Sequence, residues 1–101
     1  MAAWRLVYSA TSRQQAGSLH PSIKAVVEQR IEELSKDPYL GKPLERELSG
    51  YYSCKAKRFR IVYRIDPSSQ MVQIHYVGHR KDVYELLREM LAEKHRADNE
   101  R

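Results

Sequence analysis

The segment from Lys55 to Arg64 reads KAKRFRIVYR; Lys55, Lys57, Arg58, Arg60 and Arg64 are basic and no carboxylate stands among them. A second block, GHRKDVY from Gly78 to Tyr84, adds His79, Arg80, Lys81 and Tyr84. Arginine forks grip phosphate oxygens bidentately and keep their charge at physiological pH. Lysine and tyrosine titrate near 10 when unperturbed, and neighbouring cations lower both. Histidine titrates near neutrality and can serve as proton donor or acceptor. Side chains of these types suit phosphoryl transfer on RNA without a metal. RNA brings its own nucleophile, the 2′-hydroxyl. The protein must align it, move protons and neutralise charge on the phosphorane.

These residues need a platform. From Phe59 the pattern alternates with period two, which places Phe59, Ile61, Tyr63 and Ile65 on one strand face and Arg58, Arg60, Val62 and Arg64 on the other. Tyr51–Lys57 and Arg58–Ile65 read as two strands, or as one long strand with a bend. Asp66-Pro67-Ser68-Ser69 is a turn, with Pro67 where its fixed φ fits. Met71–Val77 is the return strand. A regular hairpin pairs Ile65 with Val72, Tyr63 with Ile74 and Arg60 with Val77, and so makes Arg60 and Arg80 neighbours. His75 then falls on the basic face, and Tyr63 and Tyr76 on the core face.

The remaining segments supply the core. Trp4, Leu6 and Tyr8 share one side of a short first strand. Ser9 caps a short polar helix running to Ala16. Pro21 opens a second helix whose stripe is Ile23, Val26, Val27, Ile31 and Leu34, and Asp37-Pro38 ends it. Tyr39–Gly50 is a linker anchored by Leu44 and Leu48. Asp82 and Glu85 have capping-box spacing for a last helix with the stripe Val83, Leu86, Leu87, Met90 and Leu91. The expected fold class is α+β: a small antiparallel sheet with an N-terminal helical hairpin and a C-terminal helix. Residues 1–91 form one domain, and residues 92–101 a polar tail.

The composition fits this picture. A chain of 101 residues, 42% hydrophobic, builds one small core. Its net charge of +5 favours nucleic acid or an acidic protein partner. The single cysteine, Cys54, excludes an internal disulfide and suits a reducing compartment. In a strand it reads as a structural thiol. No run approaches the length of a membrane span, and MAAWRLVYS is too short and polar for a signal peptide, so the expected location is cytoplasmic. His20, His75, His79 and His95 lack zinc-ligand spacing, there is no phosphate-cradling glycine loop, and no metal or cofactor is implied.

The segments GYYSCKAKRFRIVYRI and VGHRKDVYE together resemble the RelE branch of the RelE/ParE toxin superfamily. That resemblance spans about the whole chain and implies a RelE-like fold. It also implies a toxin that cuts messenger RNA in the ribosomal A site, beside 16S rRNA, to leave a 2′,3′-cyclic phosphate. A cognate antitoxin partner is implied as well, with the protein a monomer or part of a toxin–antitoxin heterocomplex, away from membranes. Matched by motif, Arg60 stabilises the transition-state phosphate and Arg80 serves the leaving 5′-oxygen. Tyr84 takes the 2′-proton, and Lys55 matches a strand lysine. Ser53 stands where RelE carries a second strand lysine. Lys57, Arg58, Arg64, His75, His79 and Lys81 are the candidate RNA contacts. Two rival readings remain: a ParE-like toxin that inhibits DNA gyrase without cutting RNA, and an inactive RNA-binding module. A face of solvated arginines, with Tyr84 merely packing a helix end, is the competing account of the same residues.

Overall fold

A computed structural model of the chain describes residues 3–79 together with Glu85, Arg88, Glu89, Leu91 and Ala92, with Glu47 described in its backbone only. The strands are β1 (Arg5–Tyr8), β2 (Lys42–Pro43), β3 (Tyr51–Ala56), β4 (Phe59–Asp66) and β5 (Met71–His79), and the helices α1 (Ala10–Gly17) and α2 (Pro21–Lys36). One five-stranded sheet has the order β1-β5-β4-β3-β2. The expected antiparallel sheet is in fact mixed, because β1 lies parallel to β5 while the other pairings are antiparallel. β1 and β2 are opposite edges, so the chain between them must cross the sheet, and α1 and α2 make that crossing.

Local chemistry accounts for each element. Ser9 caps α1 by accepting a hydrogen bond from the Ser12 N–H at 3.0 Å. Pro21 occupies the first turn of α2, and His20 Nδ1 accepts from the Ser22 N–H. Val27, Ile31 and Leu34 on α2 are almost wholly buried against Cys54, Ala56, Ile61, Tyr63, Val72, Ile74 and Val77. Each such side chain contributes about 1.5–3 kcal/mol of burial. Asp37 leaves the helix in an extended conformation ahead of Pro38 and caps the short 3-10 turn Pro38–Leu40 through the Tyr39 N–H. Tyr63 reaches from the core to fix this turn: its hydroxyl donates to the Pro38 carbonyl at 2.6 Å and accepts from the Gly41 N–H at 3.0 Å. Gly41 has no room for a side chain, since a Cβ would meet the Tyr63 hydroxyl and the Ser53 carbonyl.

The basic segment differs from its expected shape in three ways. The two-strand expectation holds and the single bent strand does not, but β3 and β4 meet in a tight hairpin turning at Lys57 and Arg58, with Ala56 opposite Phe59. Arg58 therefore sits in the turn and not on the strand face. Second, the pairings Ile65–Val72 and Tyr63–Ile74 hold, but Val62 pairs with Tyr76, which leaves His75 as an extra residue on β5. This bulge shifts Arg60 from Val77 to Gly78. It also turns Tyr76 off the helix-covered face. Third, the face opposite the helices is not purely basic. Val62 and Tyr76 pack there with Leu48 and Tyr51 in a second cluster, to which Leu44 and Leu91 add.

α1 holds the bulge in place. Ser9 N–H and Ser12 Oγ both donate to the Ile74 carbonyl, at 2.9 and 2.8 Å. Ser9 Oγ donates to the His75 carbonyl at 3.0 Å, and Gln15 Oε1 accepts from the Val77 N–H at 2.8 Å. A bulge disrupts the ladder locally, and polar side chains of α1 satisfy backbone groups around it.

The expected cap at Asp82 and the expected stripe residues Val83, Leu86, Leu87 and Met90 lie outside the described residues. Glu85, Arg88, Glu89, Leu91 and Ala92 are helical. Among the described residues no helix is long and apolar enough to cross a membrane.

These contacts set a stability test. Ser12→Ala removes one of the two donors to the Ile74 carbonyl and leaves the Ser9 N–H in place, and Tyr63→Phe removes both bonds to the Pro38–Gly41 turn. Each is expected to cost about 1–3 kcal/mol. The reading is a lower urea midpoint at unchanged slope; a wild-type midpoint contradicts the assigned role.

Candidate active site

The hairpin register decides which cations meet. Lys55 lies directly opposite Arg60 on β3 and β4. Directly opposed residues share a sheet face, so both project away from α1 and α2. Lys57 takes a left-handed φ of 55° in the turn beyond them. Such a tight turn folds Lys57 and Arg58 back toward the pair. On the other flank, Gly78 stands opposite Arg60 and offers no side chain to crowd it. His79 follows at the strand end, opposite Phe59, with the two rings edge to face at 6.0 Å.

The result is a cleft of about 370 Å³ lined by Lys55, Lys57, Arg58, Arg60 and His79. Among the described residues no carboxylate pairs with any of its lysines or arginines; the ion pair Arg30–Glu33 lies away from it on α2. Cations gathered without counter-ions leave a positive potential that an anion relieves. Arg60 is half-buried and Lys55 exposed, so the arginine is the more fixed of the two. The arrangement can bind a phosphodiester between a guanidinium and an ammonium, with an imidazole at the rim.

The other candidates fall elsewhere. Arg64 is four residues along β4 and does not line the cleft; its guanidinium sits over the Tyr51 ring, 5.2 Å from the centroid. His75 occupies the bulge and meets Tyr51 edge to face at 5.2 Å. Arg80, Lys81 and Tyr84 lie outside the described residues. Cys54 is buried in the core, and burial pushes its thiol above the ordinary range, as befits a structural residue. No three described His, Cys, Asp or Glu side chains gather into a metal-binding set.

The sequence reading passed over Tyr51. Its signal was present in the hairpin: the turn that sets Lys55 against Arg60 also sets Tyr51 against Arg64. A second hollow, of about 340 Å³, lies between α1 and α2 beside Tyr8, Val27 and Ile31, on the sheet face away from the cations.

Residues 3–84 match the family described as ParE toxin of type II toxin-antitoxin system, parDE. Toxin RelG of Mycobacterium tuberculosis is 42% identical over 79 residues, which span 76% of this chain and 91% of RelG. Toxin RelE of the same organism is 31% identical over 85 residues, 82% of this chain and 88% of that protein. Among solved structures, a chain of the M. tuberculosis toxin–antitoxin complex RelBE2 superposes with a TM-score of 0.71 at 39% identity, covering 79% of this chain and 94% of that one. A chain of the Escherichia coli RelBE complex gives 0.68 at 18% identity, covering 76% and 96%, a likeness of fold. The chain belongs to the ParE toxin family of type II toxin–antitoxin systems, as a toxin of the RelE/RelG type.

Proposed function

We propose that this toxin is an endoribonuclease that cuts messenger RNA in the ribosomal A site, using the 2′-hydroxyl of the substrate as nucleophile. The observation that carries the reading is the Lys55–Arg60 pair, set across the hairpin in a cleft with Lys57, Arg58 and His79 and, among the described residues, no carboxylate. The chemistry needs no resident group. The 2′-oxygen forms a bond to phosphorus while the bond to the 5′-oxygen breaks, which leaves a 2′,3′-cyclic phosphate and a 5′-hydroxyl. Arg60 grips the non-bridging oxygens, where charge builds in the transition state. Lys55 adds positive charge beside it. By resemblance, Tyr84 is the principal base and Arg80 the group at the leaving oxygen. Ribosomal RNA aligns the substrate, which offsets the lack of a second strand lysine at Ser53.

A cognate antitoxin is the partner that holds this activity in check. The similar RelBE structures are toxin–antitoxin complexes, and an uncompensated basic cleft is a natural target for an acidic segment. Inhibition of DNA gyrase is the second reading, favoured by the ParE name of the matching family.

Arg60→Ala is expected to fold, because the side chain points off the helix-covered core, and to cut about 10²–10³ more slowly. Unchanged toxicity on induction would count against the role. Tyr84→Phe keeps the ring and removes the hydroxyl; it should still bind antitoxin and lose most cleavage in a translating extract. The wild-type fragments should carry cyclic-phosphate ends and form in EDTA. Gyrase trapped on DNA, with no such fragments from programmed ribosomes, would replace the ribonuclease reading with the ParE one.

A further inference from the structure

Arg64 lies on the same sheet face as Arg60, and its charge is spent on neither the cleft nor a described carboxylate. It is exposed, yet it is not free to wander. Its guanidinium rests on the ring of Tyr51, its cross-strand neighbour, 5.2 Å from the centroid. Tyr51 is 8% exposed and is itself wedged by Leu48, Val62 and Tyr76, with the His75 ring against its edge. A buried aromatic thus holds an exposed fork in place, so that little side-chain entropy is lost when the fork takes a ligand.

Arg64 stands four positions along β4 from Arg60, so their Cα atoms are about 13 Å apart. With the Arg64 guanidinium held over Tyr51 and outside the cleft that Arg60 lines, the two forks suit two phosphates of one strand. We propose that Arg64, seated on Tyr51, is a second phosphate clamp for the RNA, holding a phosphate that flanks the scissile one. The identity of the ligand rests on the ribonuclease reading above. On this account Arg64 is a binding residue and Tyr51 positions it.

The test is binding of a short fluorescent single-stranded RNA, 2′-O-methylated throughout so that it cannot be cut, to the free toxin across a salt series. Arg64→Ala should weaken binding by about tenfold and flatten the slope of log affinity against log salt by ~0.7, the loss of one phosphate contact on a single strand. Arg64→Lys should keep the slope with part of the affinity lost, and Tyr51→Phe, which retains the ring, should match the wild type. Tyr51→Leu should weaken binding in the Arg64 protein and leave it unchanged in the Arg64→Ala background. Wild-type affinity and slope in Arg64→Ala overturn the clamp. So does a variant whose RNA binding is intact while its antitoxin binding fails, since that makes Arg64 a protein contact. The probe reads binding alone, so a wild-type protein that cuts no mRNA removes the ribonuclease reading without deciding the clamp.

Discussion

The β-bulge at His75 is the feature on which the rest of the site depends. One extra residue on β5 reverses which side chains face which layer beyond it. Val77 goes into the helix-covered core, and Tyr76 goes to the other face, where it packs with Val62 and Tyr51. Gly78 comes to stand opposite Arg60, and His79 opposite Phe59. A regular ladder would put Val77 beside Arg60 and drive Tyr76 into a core already filled by Tyr63. The bulge is held by a helix with little apolar character of its own. Ser9, Ser12 and Gln15 of the α1 region bind Ile74, His75 and Val77, so this short polar helix contributes through hydrogen bonds what it lacks in hydrophobic surface.

The two faces of the sheet then divide the work. One buries Val27, Ile31 and Leu34 and supplies most of the core. The other is apolar at its centre and cationic toward the β3–β4 turn. The apolar centre keeps Tyr51 in place beneath Arg64, and the tight turn keeps Lys57 and Arg58 beside Lys55 and Arg60. Crowded like charges repel one another and destabilise the folded state. An anion that binds the cleft relieves that repulsion, whether it is an RNA phosphate or an acidic side chain of an antitoxin. On the proposed reading, substrate and antitoxin exclude one another at this surface with no further device.

Much of this was legible in the sequence, and the failures have a common cause. The cap at Ser9, Pro21 at the first position of α2, the stripe of α2 and its stop at Asp37-Pro38 are local signals, and the structure keeps them; the turn after β4 falls one residue later than expected, at Pro67–Gln70, where the Gln70 N–H donates to the Pro67 carbonyl. The alternation in β4 located the cations. Pairing is not a local signal. The sequence does not mark Lys57-Arg58 as a turn by glycine or proline, yet Lys57 adopts a left-handed φ there. The bulge depends on donors from α1, more than sixty positions away in the chain. The parallel docking of β1 and the short edge strand β2 likewise depend on tertiary contacts. The register-dependent expectations, Arg60 opposite Val77 and Tyr76 in the main core, failed for that reason.

The central claim is that the substrate's own 2′-hydroxyl is the nucleophile within the Lys55–Arg60 cleft. It is tested most directly with programmed ribosomes carrying an mRNA that has a single 2′-deoxy nucleotide at the mapped cleavage position. The account predicts that this mRNA occupies the A site, binds toxin and is not cut there, while the all-ribose control is cut to a 2′,3′-cyclic phosphate. Cleavage of the 2′-deoxy mRNA at that position would contradict it, because the attacking oxygen would then have to come from water or from the protein.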